Sequence, residues 1–238
     1  MGLQQLLVSD KDVSDKVLSV LNGDCPVFML QLPSVYALVA PSTTRGVEAL
    51  NRAKCRIPGK IYGSAVGELS PFMALAIPNM LPNEFRLYPN AAQCMEGSFM
   101  RLVVDHSEVN TSTIEIGTHQ GLLMPEGHIR DLFRIIERSF QEQPSAELFP
   151  GKSFTAPLCT SANISGDPLG SIVTEDRALR FAEEQGISLV VRSDETQVEK
   201  GSYPIFYFRS NEVTIERRGP RVHDICAALP KSMVLTVD

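Results

Sequence analysis

The sequence predicts an α/β protein whose single domain is built on a mixed β-sheet. Apolar strand patterns alternate with amphipathic helix patterns along most of the 238 residues, which is typical of parallel strands connected by helices. The last three strand patterns follow one another without a helix between them, which is typical of antiparallel pairing. No linker divides the chain, so we expect one domain over residues 1–238.

The first half of the chain begins with a helix pattern. Residues 9–22 place three valines and Leu21 on one face, and Gly23 follows as a stop signal. CPVFMLQLP is a continuous apolar run, which predicts a buried strand. The other predictions in this half are an extended segment at 34–41, a helix at 43–54, a strand at 61–66, broken helix and loop at 70–98, and a strand at 99–105.

The second half contains the clearest helix. In residues 126–141, apolar side chains recur at helical spacing and predict one buried face. A strand predicted at 153–162 runs into the bend TSANISGDP, and a helix predicted at 174–185 is capped by Thr174. The other predictions in this half are strands at 112–117, 187–193, 203–209 and 212–218, with the last two joined as a hairpin across Ser210 and Asn211.

Composition limits the function classes. A net charge of −6 and a pI of about 5.3 argue against a broad nucleic-acid surface, although they are compatible with a small basic pocket. No apolar run approaches the roughly 20 residues of a membrane span, and the N-terminus has no signal-peptide pattern. These features predict a soluble cytoplasmic protein without a membrane partner. The five cysteines and four histidines lack metal-ligand spacing, so no protein-held metal is expected.

The bend that follows the strand at 153–162 has two interpretations. A strand that ends in Thr-Ser-Ala-Asn presents hydroxyls and an amide at the edge of the sheet where α/β proteins bind ligands. Ser161 and Asn163 project to the same side in extended backbone, and such groups suit phosphate oxygens or phosphate-bound Mg²⁺. The alternative is a turn in which Asn163 and Ser165 hydrogen-bond their own backbone.

Two basic segments are further candidates for anion binding. Lys54 and Arg56 follow the second predicted helix and can converge on one anion, with Arg56 supplying a bidentate fork. The alternative is a solvated helix end whose charge complements the helix dipole. Arg217 or Arg218 leaves a predicted strand just before Gly219, either to close over a nucleotide or to lie on the surface.

In this order and at these distances, the segments resemble the YrdC family of threonylcarbamoyl-adenylate synthases. TSANISGDP resembles the family's Ser-x-Asn signature, and Lys54-Cys55-Arg56 resembles its Lys-x-Arg signature. PSVYAL resembles its Pro-Thr-x-Thr-Val-Tyr-Gly-Leu segment, and IERRG its closing Arg-Pro-Gly segment. The resemblance covers about residues 10–225. It implies a twisted mixed sheet flanked by helices around a deep, positively lined cavity.

The resemblance also implies an activity and residue roles. ATP, L-threonine and bicarbonate would be converted into threonylcarbamoyl-AMP for a tRNA modification. The carbamate formed from bicarbonate and the amine would attack the α-phosphorus of ATP and release pyrophosphate, by positioning and without a side-chain nucleophile. ATP or AMP, with Mg²⁺, would be bound by Arg56, Lys60, Ser161, Asn163 and Arg217. The catalytic set would be Lys54, Arg56, Ser161 and Asn163.

The substrate side departs from the family pattern. The residues expected to line the substrate pocket are Ser34, Tyr36, Met124, Cys159, Ser202 and Tyr203. The family's Arg that holds the substrate carboxylate should fall near Leu123 and Met124, where this chain has no Arg. A buried carboxylate must be met by a cation or by several donors, so threonine should bind poorly if Met124 takes this place.

Three hypotheses therefore stay open. The first is a divergent threonylcarbamoyl-adenylate synthase, a nucleotidyltransferase whose missing Arg is supplied by Arg130 or Arg192. The second is an enzyme of the same fold that acts on another acid. The third is a non-catalytic relative that binds a nucleotide, RNA or a protein partner, and the negative net charge argues against RNA. The lost carboxylate contact separates the first hypothesis from the other two.

Overall fold

One β-sheet runs through the described chain and carries helices on both faces. The computed structural model describes residues 2–57, 62–105, 117–142, 154–195, 199–210 and 212–237. Within these ranges it forms an eleven-stranded sheet with parallel and antiparallel pairs, which confirms the predicted single-domain α/β class with a mixed sheet. Every described helix is too short or too polar to cross a membrane.

The described residues form strands and helices in irregular alternation. The strands are β1 (Gln4–Leu7), β2 (Phe28–Gln31), β3 (Tyr36–Ala40), β4 (Gly63–Val66), β5 (Ser98–Val103), β6 (Thr118–Leu123), β7 (Leu158–Ser161), β8 (Leu189–Arg192), β9 (Ile205–Arg209), β10 (Glu212–Arg217) and β11 (Val234–Val237). The helices are α1 (Val13–Asn22), α2 (Thr44–Lys54), α3 (Leu69–Ala74), α4 (Asn83–Arg86), α5 (Ala91–Met95), α6 (His128–Glu142), α7 (Glu175–Glu184) and α8 (Val222–Ala228).

The strand order places the bend that follows β7 near the middle of the sheet. The order is β1-β8-β2-β3-β7-β4-β6-β5-β9-β10-β11. β7 pairs antiparallel with β3 on one side and with β4 on the other, and β4 pairs parallel with β6. The C-terminal end of β7 therefore lies beside the N-terminal ends of β3 and β4, and β6 is the next strand after β4.

Alternating side chains on the central strands build separate cores on the two faces of the sheet. One core packs α1 and α6 against residues such as Leu30 and Leu122. On the opposite face, Leu38 belongs to the core formed with α2 and α7. A third core contains Leu123 together with residues of α3, α4, α5 and α8. Leu122 and Leu123 enter different cores because neighbouring strand residues point to opposite faces.

Most of the predicted elements are present, although their ends differ. The helix predicted at 126–141 is α6, and the predicted hairpin is the antiparallel pair β9 and β10. The strand predicted at 153–162 is a regular strand only over Leu158–Ser161. The strand predicted at 112–117 lies outside the described residues, except for Gly117, which forms a turn.

Four elements of the structure were not predicted: β1, β6, α8 and β11. β6 has the sequence THQGLL, and its Gln and Gly have no preference for strands. Tertiary packing determines this strand, since a Cβ on Gly121 would lie only 3.0 Å from the ring of Phe72. β1 and β11 form the two edges of the sheet, and both lie outside residues 10–225.

Candidate functional site

A cavity of about 280 Å³ lies beside the central strands and the end of α2. Its polar rim is partly or largely exposed and consists of Arg56, Ser161, Asn163, Ser165, Gly166 and Arg217. Its floor is largely apolar and buried and consists of Leu32, Val35, Ala37, Gly63, Phe99, Leu122, Cys159 and Tyr203, together with the half-buried Gln120. Lys54 also lines the cavity, and none of the described lining residues is acidic.

The bend that follows β7 is tied to Lys54. This lysine is only 2% exposed, and its Nζ donates to Ser161 O, to Asn163 O at 3.0 Å and to Asn163 Oδ1 at 3.1 Å. Ser161 Oγ donates to Asn163 Oδ1 at 2.9 Å, and Asn163 Nδ2 donates to Ile164 O at 2.8 Å. The bend therefore forms its own hydrogen bonds, as a turn does, and also lines the cavity.

Arg56 enters the rim because the chain turns sharply after α2. Cys55 ends the helix with a left-handed φ of 45°. The Arg56 guanidinium then lies 4.4 Å from the centroid of the Tyr62 ring, a cation–π contact. Burial lowers the pKa of Arg56, and Tyr62 opposes that shift.

Arg217 is placed on the rim by the end of β10. Its Nε and Nη2 donate to Tyr203 O at 2.9 and 2.6 Å. Burial lowers the pKa of Arg217 to about 10, and repulsion from Arg101 acts in the same direction. The guanidinium therefore remains cationic at neutral pH, and the rim carries positive charge from two separate elements.

The floor contains groups that the sequence did not reveal. Gln120 lines the cavity from β6, a strand that was not predicted, and Gly63 and Phe99 line it from β4 and β5. Burial raises the pKa of the Cys159 thiol to about 12, against the opposing effect of Lys54. Cys159 is therefore a neutral, packed thiol at neutral pH and is not suited to act as a nucleophile.

The structure brings most of the predicted site residues together. Eight of them line the cavity: Lys54, Arg56, Cys159, Ser161, Asn163, Ser202, Tyr203 and Arg217. Ser202 Oγ also forms a hydrogen bond with Ser171 Oγ at 2.7 Å. The predicted residue Lys60 lies outside the described residues.

Three residues predicted for the substrate pocket are not among the lining residues. Ser34 is buried beside the Tyr203 hydroxyl. Tyr36 packs in the core of the opposite face, because it alternates with Val35 and Ala37, which line the cavity. Met124 is 1% exposed and packs in the core formed with α1 and α6.

Comparison with known proteins identifies the fold. No protein-family model matches the sequence, and no curated protein matches it significantly. A variant of Sua5 from P. abyssi superposes with a TM-score of 0.68 at 15% identity, covering 98% of this chain and 65% of that chain. YciO from E. coli superposes with a TM-score of 0.62 at 13% identity, covering 92% of this chain and 96% of that chain. The protein has a YrdC-like fold.

Two further structures that match this chain contain ligands. P. abyssi Sua5 in complex with L-threonine matches with a TM-score of 0.63 at 14% identity, covering 98% of this chain and 62% of that chain. HypF in its phosphate- and nucleotide-bound form matches with a TM-score of 0.61 at 13% identity, covering 88% of this chain but 29% of that chain. This chain thus spans less than two thirds of the length of the Sua5 chains, and at these identities the likeness shows the fold alone.

Within this YrdC-like fold, neither candidate replacement arginine lines the cavity. Arg130 is buried, donates from Nε to Gly67 O at 2.9 Å and forms ion pairs with three glutamates, of which Glu126 is 2.8 Å away. Arg192 forms an ion pair with Glu175 at 3.1 Å. In the described structure, both guanidinium groups are therefore engaged elsewhere.

The lining of the cavity does not fit a protein-held Mg²⁺. Mg²⁺ in proteins is bound through carboxylates together with substrate phosphates. None of the described lining residues is acidic, and Asn163 Oδ1 already accepts hydrogen bonds from Lys54 and Ser161. Elsewhere in the described ranges, no group of three or more His, Cys, Asp or Glu side chains is arranged to hold a metal ion.

Proposed function

We propose that this cavity binds a phosphate-bearing ligand, specifically an adenine nucleotide such as ATP or AMP. The observation that carries the proposal is the gathering of Lys54, Arg56 and Arg217 around one cavity whose described lining contains no carboxylate. Several cations around one partly desolvated cavity attract an anion more strongly than they do in bulk water.

The cationic groups have different roles in this proposal. Arg56 and Arg217 contact the phosphate, since a guanidinium can donate two parallel hydrogen bonds to phosphate oxygens. Lys54 holds the bend that carries Ser161 and Asn163, and its charge adds to the positive potential of the rim. Lys60 is a further proposed contact, from the family resemblance alone. Mg²⁺ accompanies the nucleotide as a counter-ion of its phosphates.

Two further observations support a nucleotide. HypF, part of which matches this fold, has been solved in a phosphate- and nucleotide-bound form. The Ser-x-Asn and Lys-x-Arg segments, which resemble nucleotide-contacting signatures, lie on the same cavity wall and are joined by the hydrogen bonds of Lys54. The choice of adenine as the base of the nucleotide is based on the family resemblance alone.

Isothermal titration calorimetry with AMP and ATP tests this proposal. A charge-assisted contact to phosphate is worth about 1.5–3 kcal/mol, so Arg56→Ala should weaken nucleotide binding by roughly tenfold or more. Arg52→Ala is the matched control, because Arg52 lies exposed on the last turn of α2, close before Arg56 in the chain, and does not line the cavity. If the unmodified protein binds neither nucleotide at millimolar concentration, the proposal is wrong.

Threonine-dependent synthesis of threonylcarbamoyl-AMP is the second candidate function. The observation that favours it is the likeness of the fold to Sua5, which has been solved in complex with L-threonine. The floor of the cavity argues against this candidate function, because no described floor residue is a cation and both Arg130 and Arg192 form ion pairs elsewhere. A same-fold enzyme with another substrate and a non-catalytic nucleotide-binding protein both remain compatible with the rim.

A further inference from the structure

Gln120 presents a buried hydrogen-bond acceptor at the cavity. Its Oε1 is shielded from solvent and accepts no hydrogen bond from any described group. A buried amide oxygen without a donor has lost its hydration without compensation, and such groups are rare in folded proteins. At the wall of a cavity, this deficit is removed when a bound ligand supplies the donor.

The Gln120 side chain is held in place by its neighbours on β4 and β5. An ideal Cβ on Gly63 would lie 2.8 Å from Gln120 Cγ, 3.0 Å from Gln120 Nε2 and 2.8 Å from Phe99 Cε1. Gly63 therefore leaves the space that these two side chains occupy. These neighbours hold the stem of the Gln120 side chain, so a ligand that uses the shielded Oε1 has to turn the terminal amide toward the cavity.

The floor residues around Gln120 carry no charge of their own, and the Arg217 guanidinium of the rim lies 5.8 Å from the centroid of the Phe99 ring. Burial raises the pKa of both the Cys159 thiol and the Tyr203 phenol, so neither group is charged at neutral pH. Arg101, the cross-strand neighbour of Gln120, is paired with Glu216 at 3.2 Å. A carboxylate placed on the floor would lose its hydration without meeting a floor cation, whereas an uncharged N–H or O–H would meet Gln120 Oε1.

We propose that Gln120 determines the specificity of the floor, where it accepts a hydrogen bond from an uncharged group of the ligand. A primary carboxamide or a hydroxyl has the required chemistry. This inference rests on the proposed function, in which the anionic part of the ligand occupies the rim. It assigns the floor to a different substrate class from that of a free amino acid, whose carboxylate requires a cation.

Saturation-transfer NMR with a matched pair of probes tests the inference. Isobutyramide and isobutyrate have nearly the same shape and differ in charge, and each is measured at millimolar concentration with and without AMP. We expect transfer to isobutyramide and none to isobutyrate when AMP occupies the rim. Gln120→Leu removes the acceptor at similar side-chain size and should abolish the amide signal.

Thermal unfolding of the same variant separates ligand recognition from a structural role. Gln120→Leu removes an unmet buried acceptor, so its melting temperature should equal or exceed that of the unmodified protein. Gln31→Leu is the matched control: Gln31 Oε1 accepts from the Ser193 N–H at 3.3 Å, and losing this acceptor should lower the melting temperature.

The possible outcomes test the proposed role of the floor and the proposed role of the rim separately. The inference is overturned by absent transfer to isobutyramide, by equal or stronger transfer to isobutyrate while AMP occupies the rim, by an amide signal that survives Gln120→Leu, or by a lowered melting temperature of that variant. Failure of AMP to bind the unmodified protein overturns the proposed function instead. In that case, transfer to isobutyramide without AMP, and its loss in Gln120→Leu, decide on the floor independently, because isobutyrate could then bind the cations of the rim.

Discussion

At the scale of single residues, Lys54 organises the rim. Its buried ammonium donates to two main-chain carbonyls and to Asn163 Oδ1, so one charge fixes both the path of the bend and the orientation of the amide. A lysine expected to meet an anion therefore also acts as a positioning residue for Ser161 and Asn163. Hydrogen bonds from a charged donor are stronger than neutral ones, and buried carbonyls that lose them are left unsatisfied.

Replacing Lys54 by Met, a side chain of similar length, should therefore destabilise the protein. We expect the free energy of unfolding to fall by about 1.5–3 kcal/mol, and the melting temperature to fall by several degrees for a domain of this size. Nucleotide affinity should fall as well, because the bend loses its anchor. Differential scanning fluorimetry and calorimetry measure the two effects.

Lys16→Met serves as the control, since Lys16 is exposed on α1 and lies away from the cavity. If Lys54→Met weakened nucleotide binding but melted at the same temperature as this control, Lys54 would act only through direct contact with the ligand. The positioning role would then be wrong.

The rim was accessible to prediction because its residues lie in short segments. Lys54 and Arg56 are two positions apart, as are Ser161 and Asn163. Side-chain chemistry left two interpretations of each segment open, and the resemblance of these short segments to a family selected the residues. Gln120 could not be found this way. Its importance arises from Gly63 and Phe99, which meet it only when β4 and β5 are assembled around β6.

At the scale of elements, the contact between α6 and the end of β4 contains a buried carboxyl group. Glu137 Oε1 accepts a hydrogen bond from the Gly67 N–H at 3.2 Å, and burial raises the pKa of Glu137 from 4.5 to about 7. Between these two pH values the folded protein binds more protons than the unfolded chain. Its free energy of unfolding therefore decreases as pH rises through this window.

Glu137→Gln should remove this pH dependence. The amide oxygen can still accept the Gly67 N–H, and no charge needs to be buried above neutral pH. We expect the variant to be more stable than the unmodified protein at pH 8, by up to about 3 kcal/mol, and its melting temperature to decline less between pH 5 and 7. Thermal unfolding across this pH range measures the effect.

Glu142→Gln, at the exposed end of the same helix, is the control and should follow the unmodified protein. Identical pH profiles for Glu137→Gln and the unmodified protein would contradict the assignment. They would mean that the Glu137 carboxylate is solvated in the folded state.

Elements were predictable where local pattern and tertiary environment agree. α6 repeats apolar residues at helical spacing and buries that face, so the pattern alone identified it. The sequence of β6 does not identify it as a strand, because its Gln, Gly and His have no preference for strands. These residues are accommodated by packing against α3 and by the neighbouring strands. The edge strands β1 and β11 are short and largely exposed. β1 lacks the apolar run of a buried strand, whereas β11 has the apolar sequence VLTV without being buried.

At the scale of the whole molecule, the fold brings distant segments together. The hydrogen bonds of Lys54 to the bend join residues more than 100 positions apart, because β7 returns to lie between β3 and β4. The same architecture occurs in Sua5 and YciO at 13–15% identity. A fold can be kept while its site changes, so function has to be argued from the site. Here the rim carries the cations that we propose bind an anion, and no described floor residue supplies a cation for a carboxylate.

This division predicts the thermal response of the whole protein to its ligands. A ligand that binds only the native state adds about 2.7 kcal/mol at one hundred times its dissociation constant, which raises the melting temperature by several degrees. We expect this response for AMP or ATP and none for L-threonine, with or without nucleotide, because no described floor residue supplies a cation for its carboxylate. Pyrophosphate release should likewise be independent of threonine and bicarbonate.

Stabilisation by threonine together with threonine-dependent pyrophosphate release would make the synthase the first candidate. The cation that meets the threonine carboxylate would then have to be identified, and the first variant to test is Arg130→Ala. If Arg130 exchanges its glutamate partners for the substrate, this variant should abolish the threonine response and leave nucleotide binding intact.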